Sequence, residues 1–245
     1  MNLQDKVIVV TGASSGIGSA TVRQLVAAGA SVVFGARREN KLATLAKELP
    51  DSQIAYQVTD VTKHEDLLSL ISLAVQRFGK VDVLFNNAGI MPLSKLAEDK
   101  RDDWQNILQT NVIDLLNGIS ATLPVMHHQG YGHIIATGSM AGYNIYPGST
   151  VYCASKFAER AIMEGLRQEE LPNHIKTTYL APGMVETELL SSVGDKKRAE
   201  EIANAWHESD HVLTAEDVAS LVVYMINAPD VIAINEVQIR PRAER

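Results

Sequence analysis

Apolar residues recur along the chain in two alternating rhythms. Residues 6–11 form a short β-branched run closed by glycine, the pattern of a strand buried on both faces. From 17 to 28 the apolar positions fall at helical spacing instead. The pair then repeats as strand 31–35, helix 39–49, strand 53–58, helix 64–78 and strand 81–85. The second half continues the scheme with helices over 101–126, 150–170 and 215–226 and strands over 133–137, 176–180 and 236–240. Repeated β-α units build parallel sheets, so the pattern predicts an α/β fold. It is a doubly wound sheet of about seven strands with helices on both faces, three layers in all.

No Pro-, Gly- or Ser-rich linker, repeat or charge run divides the chain, which predicts one domain over residues 1–245. Residues 187–213 depart from the rhythm: they are polar and charged, bracketed by Pro182-Gly183 and Thr214. They read as a surface helix pair or as a lid over a substrate pocket. A net charge of −7 leaves no broad basic face for phosphate backbones, so no nucleic-acid partner is expected. The one cysteine, Cys153, cannot form an internal disulfide, and the N-terminus lacks the features of a signal peptide. Cytoplasmic location follows as the expectation, and no apolar run approaches the roughly 18 residues that would cross a bilayer.

The segment Thr11-Gly-Ala-Ser-Ser-Gly-Ile-Gly18 joins the first strand to the first helix. Gly12, Gly16 and Gly18 suit a tight turn with close backbone approach, and a helix N-terminus offers unpaired N–H groups and a positive dipole end. With Ser14, Ser15 and Ile17 they form a candidate cradle for the pyrophosphate of a dinucleotide. The second strand ends in Ala36-Arg37-Arg38, where a dinucleotide fold reads the adenosine ribose. No carboxylate stands there, and two guanidiniums suit a 2′-phosphate, which selects NADP(H) as cofactor. Arg37 carries more of this expectation, because Arg38 also reads as a solvated charge at a helix start.

Tyr152-Cys-Ala-Ser-Lys156 sets a phenol and an ammonium one turn apart on one helix face. A nearby cation stabilises phenolate and lowers the tyrosine pKa, making the hydroxyl a candidate general acid/base. Together with the glycine turn, these residues make the chain similar to the short-chain dehydrogenase/reductase family along essentially its whole length. Asn86-Asn87-Ala88-Gly89 after the fourth strand, Asp60-Val61, Asn111, Ser139 and Pro182-Gly183 with Thr187 agree in order and spacing.

The resemblance implies Tyr152 as acid/base, Lys156 holding the nicotinamide ribose and depressing the tyrosine pKa, and Ser139 bonding the substrate oxygen. It implies Asn111 as anchor of a water leading to Lys156. It also implies cofactor contacts from Asp60, Val61, Asn87, Ala88, Gly89, Pro182, Gly183, Val185 and Thr187. One departure is Thr137-Gly138-Ser139, where many relatives carry paired serines. Ala36-Arg37-Arg38 and the ending Glu236–Pro241 are similar to clavulanic acid dehydrogenase-like and 3-hydroxy acid dehydrogenase-like NADP enzymes.

By the same resemblance, substrate contacts come from Ser139, Met140, Tyr143, Asn144, Tyr146 and Met184, with Met91 and Val185 nearby. These mostly apolar groups suit a small carbonyl or alcohol substrate. No His-x-x-x-His or Cys-x-x-Cys pattern supports a metal, and Gly138–Gly142 lacks the spacing of a serine-hydrolase elbow. Cys153 points away from the face of Tyr152 and reads as core. Two other functions stay open: a non-catalytic NADP(H)-binding sensor, and a nucleotide-sugar epimerase, which normally needs a longer C-terminal part. The resemblance further implies a homodimer or homotetramer built on helices 101–126 and 150–170.

Overall fold

The computed structural model describes residues 3–208 and 212–242, with backbone alone for 205–208. Seven parallel strands form one sheet in the order β3-β2-β1-β4-β5-β6-β7. They are β1 (Val7–Thr11), β2 (Ser31–Ala36), β3 (Ile54–Val58), β4 (Val83–Asn86), β5 (Gly132–Thr137), β6 (Ile175–Pro182) and β7 (Glu236–Ile239). Between them run α1 (Gly16–Ala27), α2 (Glu39–Lys47), α3 (His64–Phe78), α4 (Arg101–Ile107), α5 (Asp114–Gln129), α6 (Thr150–Glu170), α7 (Lys196–Glu208) and α8 (Ala215–Ile226).

Alternation along the central strands sorts the core into two layers. Ile8 and Val10 of β1 join Phe34, Phe85 and Leu180 beneath α1 and α8. Val7 and Val9 join Leu84, Ile134 and Tyr179 beneath α3, α5 and α6. Because both faces are covered, the inner strands have no polar side to expose, which is why β1 reads as continuous Val-Ile-Val-Val. Phe85 is fully buried, and Phe85→Ala is expected to cost about 3–5 kcal/mol, read as a lower denaturation midpoint with unchanged slope.

One expected helix is divided. The span 101–126 is α4, a π-helical turn Leu108–Ile113 and α5, which continues to Gln129 despite Pro124. The wider turn carries Asn111, and such turns concentrate at functional positions. The span 187–213, expected as a surface helix pair or a lid, holds a 3₁₀ turn, Glu188–Ser192, and α7; its residues 209–211 lie outside the described residues. Among the described residues, no helix is long and apolar enough to cross a membrane.

Candidate active site

β1 and β4 adjoin where the strand order reverses, the place where open α/β sheets hold ligands beyond their carboxyl ends. A cleft of about 320 Å³ opens there. The glycine turn contributes Gly12, Ser14, Ser15, Gly16 and Ile17 to its walls; the tip of β2 adds Arg37 and Arg38, and the tip of β3 adds Asp60 and Val61. Asn87, Ala88 and Gly89 follow from β4, Tyr152 and Lys156 from α6, and Thr187 from the chain after β6.

Close approach explains the glycines. Gly12 has φ 66°, and a Cβ there would lie 2.8 Å from the Cα of Ala88. At Gly18 a Cβ would run into the Gly12 carbonyl and the Asn87 side chain. The Thr11 hydroxyl accepts from the backbone N–H of Asn87 at 3.0 Å and of Ala88 at 3.3 Å. Asn87 donates to the Thr11 carbonyl at 3.2 Å and accepts from the Thr137 hydroxyl at 3.1 Å. The ends of β1, β4 and β5 are thereby tied together. No side chain caps α1, whose first turn lines the cleft.

At the other end of the cleft, Arg38 is the better-placed guanidinium. It donates to the Ser14 hydroxyl at 2.8 Å and the Ser15 hydroxyl at 2.7 Å, folding over the glycine turn while still half-exposed. It also pairs with Glu188 at 2.7 Å, and Lys41 reaches the same carboxylate at 3.3 Å. The bond from Arg38 holds Glu188 below the usual carboxylate range, against a smaller opposing effect of burial. Burial pushes Asp60 up, but bonds from the Thr62 hydroxyl and amide, with the charges of Lys63 and Arg37, bring its carboxyl below the ordinary value.

Tyr152 and Lys156 are both buried on one face of α6. The ammonium lies 5.8 Å from the phenol ring centre and donates to the Thr137 carbonyl at 3.0 Å and to Glu159 at 2.8 Å. The tyrosine does not follow the expected direction. Burial raises its pKa by more than the Lys156 charge and the Ser139 hydrogen bond lower it, and Glu159 pushes the same way as burial. The phenol as it stands is therefore a protonated acid at neutral pH. Asn111 spans the π-turn and the β4 tip: it accepts from the Ile90 N–H at 2.9 Å and donates to the Ser155 hydroxyl at 3.0 Å.

Gly138, the departure in the serine segment, has a physical cause. The Tyr179 ring of β6 occupies the space a side chain would need there. Its hydroxyl accepts from the Ser139 N–H at 3.3 Å and donates to the Lys156 carbonyl at 3.0 Å, joining the serine turn to the lysine turn of α6. Ser139 itself accepts from the Ala141 N–H at 3.1 Å and opens the 3₁₀ turn Met140–Gly142.

The model for the family described as short chain dehydrogenase matches residues 6–198. The chain belongs to the short-chain dehydrogenase/reductase family. It is an oxidoreductase of that family and is 43% identical over 245 residues to an uncharacterized oxidoreductase of Staphylococcus saprophyticus, covering 99% of this chain and 98% of that one. Among solved structures it is similar to serine dehydrogenase complexed with NADP+, at TM-score 0.88 and 30% identity, covering 95% of this chain and 94% of that one. It is also similar to an alcohol dehydrogenase from the archaeon Thermococcus sibiricus complexed with 5-hydroxy-NADP, at TM-score 0.85 and 28% identity, covering 98% of each chain.

In this short-chain dehydrogenase/reductase the substrate-side candidates are dispersed. Met140 is buried in the core layer under α6, and Tyr143 turns toward β7, donating to Glu236 at 2.8 Å beneath the Arg160 guanidinium. Asn144 and Tyr146 sit on an exposed loop. Pro182 ends β6, Gly183 donates to the Ile239 carbonyl, and Met184 and Val185 follow. Val185 is buried and bridges to Leu213. Met91 packs with Leu93, Leu190 and Val193 around Tyr152, an apolar patch drawn partly from the span 187–213. Cys153 is buried in the same patch. Glu159, Tyr179 and Glu188 are missing from the residues singled out in the sequence. Only Glu159 carried a signal there, one helical turn beyond Lys156.

Proposed function

We propose that this chain is an NADP(H)-dependent oxidoreductase acting between a carbonyl and a secondary alcohol, with Tyr152 as general acid/base. The observation that carries the reading is one cleft with the uncapped α1 turn and Arg38 at one end and the buried Tyr152–Lys156 pair at the other. The uncapped N-terminus of α1 fits a pyrophosphate, and Arg38 with Ser14 and Ser15 fits a 2′-phosphate. The bound nicotinamide supplies the hydride.

The chain's own residues supply orientation and a proton. Tyr152 gives its phenolic proton to the carbonyl oxygen in reduction and takes it back in oxidation. Ser139 donates to the same oxygen, Lys156 holds the nicotinamide ribose, and Asn111 keeps the π-turn seated against α6. The apolar patch of Met91, Leu93, Leu190 and Val193 excludes water beside Tyr152 and suits a substrate with little charge at its reacting end. Residues 187–213 act as its lid, and 1–245 work as one domain. Exposed Leu108, Ile113, Leu116 and Phe157 on the 101–129 and 150–170 spans support a homodimer or homotetramer; a monomer in sedimentation would overturn that part.

The test is NADPH oxidation against a panel of ketones and aldehydes. Turnover of at least one is the expected result. Tight cofactor binding with no turnover of any would replace this reading by the sensor.

Glu188 gives a separate prediction. It occupies the Arg38 and Lys41 cations that would face a 2′-phosphate. Glu188→Gln is expected to tighten NADPH binding about two- to fivefold, the scale of a half-exposed ion pair, and to leave NADH binding unchanged in fluorescence titrations.

A further inference from the structure

The Lys156 ammonium has an acidic neighbour that the proposed chemistry does not use. Glu159 lies one turn further along α6, both its oxygens within hydrogen-bond distance of the ammonium at 2.8 and 3.0 Å. Both side chains are almost fully buried, with exposures of 6% for Lys156 and 4% for Glu159. A buried carboxylate is costly unless paired, and one paired in this way takes hold of its partner's position as well as part of its charge. The third contact of the ammonium, to the Thr137 carbonyl at 3.0 Å, anchors it at the end of β5 next to the serine turn.

We propose that Glu159 is a positioning residue, which holds the Lys156 ammonium against the Thr137 carbonyl and shields part of its charge from the Tyr152 phenol. The inference deepens the functional reading above and rests on it for its catalytic meaning, although the shielding itself is a property of the folded chain alone.

The surroundings of Glu159 are few and can be named. Lys156 and Tyr152 face it from α6, and Asp114 on α5 and Tyr179 on β6 lie within its electrostatic reach. Burial drives the Asp114 carboxyl well above its ordinary range, with the Glu159 charge adding to the effect, while Glu159 makes the direct contact with the ammonium. Burial also raises Glu159, to about 7, against the pull of Lys156. In the alkaline range where a buried phenol titrates, Glu159 is therefore fully charged and its shielding is complete. Arg160, the next cation on α6, is engaged with Glu236 and does not compete.

Removing the carboxylate while keeping its shape takes away a negative charge that raises the phenol, which favours phenolate. In Glu159→Gln the ionisation midpoint of Tyr152 is expected to fall by about one pH unit. The midpoint is read in the cofactor-free protein as phenolate absorbance, with the matching Tyr152→Phe protein subtracted to isolate this tyrosine. Glu159→Asp, which keeps the charge but withdraws it by one methylene, is expected to give a smaller fall in the same direction. Should Glu159→Gln unfold, Glu159→Asp carries the test alone.

Coincident titrations of Tyr152 in the unmodified and substituted proteins would overturn the proposal, since a merely structural carboxylate would alter the melting temperature and leave this midpoint in place. That outcome is separate from failure of the functional reading, which is decided by whether Tyr152→Phe still turns over the ketone panel.

Discussion

Tyr152→Phe is expected to lower carbonyl-reduction kcat by about a hundred- to ten-thousandfold, the usual worth of a positioned general acid. NADPH affinity should stay within about threefold, because the lost hydroxyl takes no part in seating the phosphates in this reading. The ring remains to fill the patch formed by Leu93, Ala141 and Val193, so the fold should persist. Stopped-flow NADPH oxidation with any ketone from the panel, alongside a fluorescence titration of the cofactor, measures both quantities. Retained turnover would remove the phenol from the mechanism.

The second large effect is on cofactor choice. Arg38→Asp is expected to weaken NADPH binding roughly ten- to a hundredfold, the loss of a charge-assisted hydrogen bond worth about 1.5–3 kcal/mol compounded by the repulsion of a new carboxylate. NADH lacks the 2′-phosphate and should bind nearly as before. Arg37→Asp is expected to act in the same direction but more weakly, since Arg38 is the residue bonded to Ser14 and Ser15 above the turn. Paired titrations of the two cofactors decide the matter, and an unchanged NADPH-to-NADH ratio in Arg38→Asp would sink the assignment of NADP(H).

The strands were legible because they are buried on both faces, and burial writes itself as uninterrupted Val, Ile and Phe in β1 and β2. The helix over 101–126 was harder: Leu108–Ile113 keeps helical composition while its turn widens, and no apolar period separates a π-turn from an α-turn. Within the candidate site, the glycine turn and the pair Tyr152–Lys156 declare themselves by local spacing. The electrostatic balance on Tyr152 does not, because burial is set by residues such as Leu93 and Val193 that lie far away in the chain. For the same reason the different placements of Arg37 and Arg38 were hidden. Adjacent side chains of one type differ only in which way the folded backbone points them, and the partner that marks Arg38, Glu188, stands 150 positions downstream.

The interlocking of Tyr179 with Gly138 constrains anyone who would re-engineer this enzyme. Grafting the paired serines of its relatives into the β5 turn would drive a hydroxymethyl group into an aromatic ring, so that exchange must be made together with a smaller residue at 179. The smaller residue in turn unlinks Ser139 from the backbone of Lys156. The two positions behave as a single inherited part, and chimaeras that cut the chain between β5 and β6 will separate its halves.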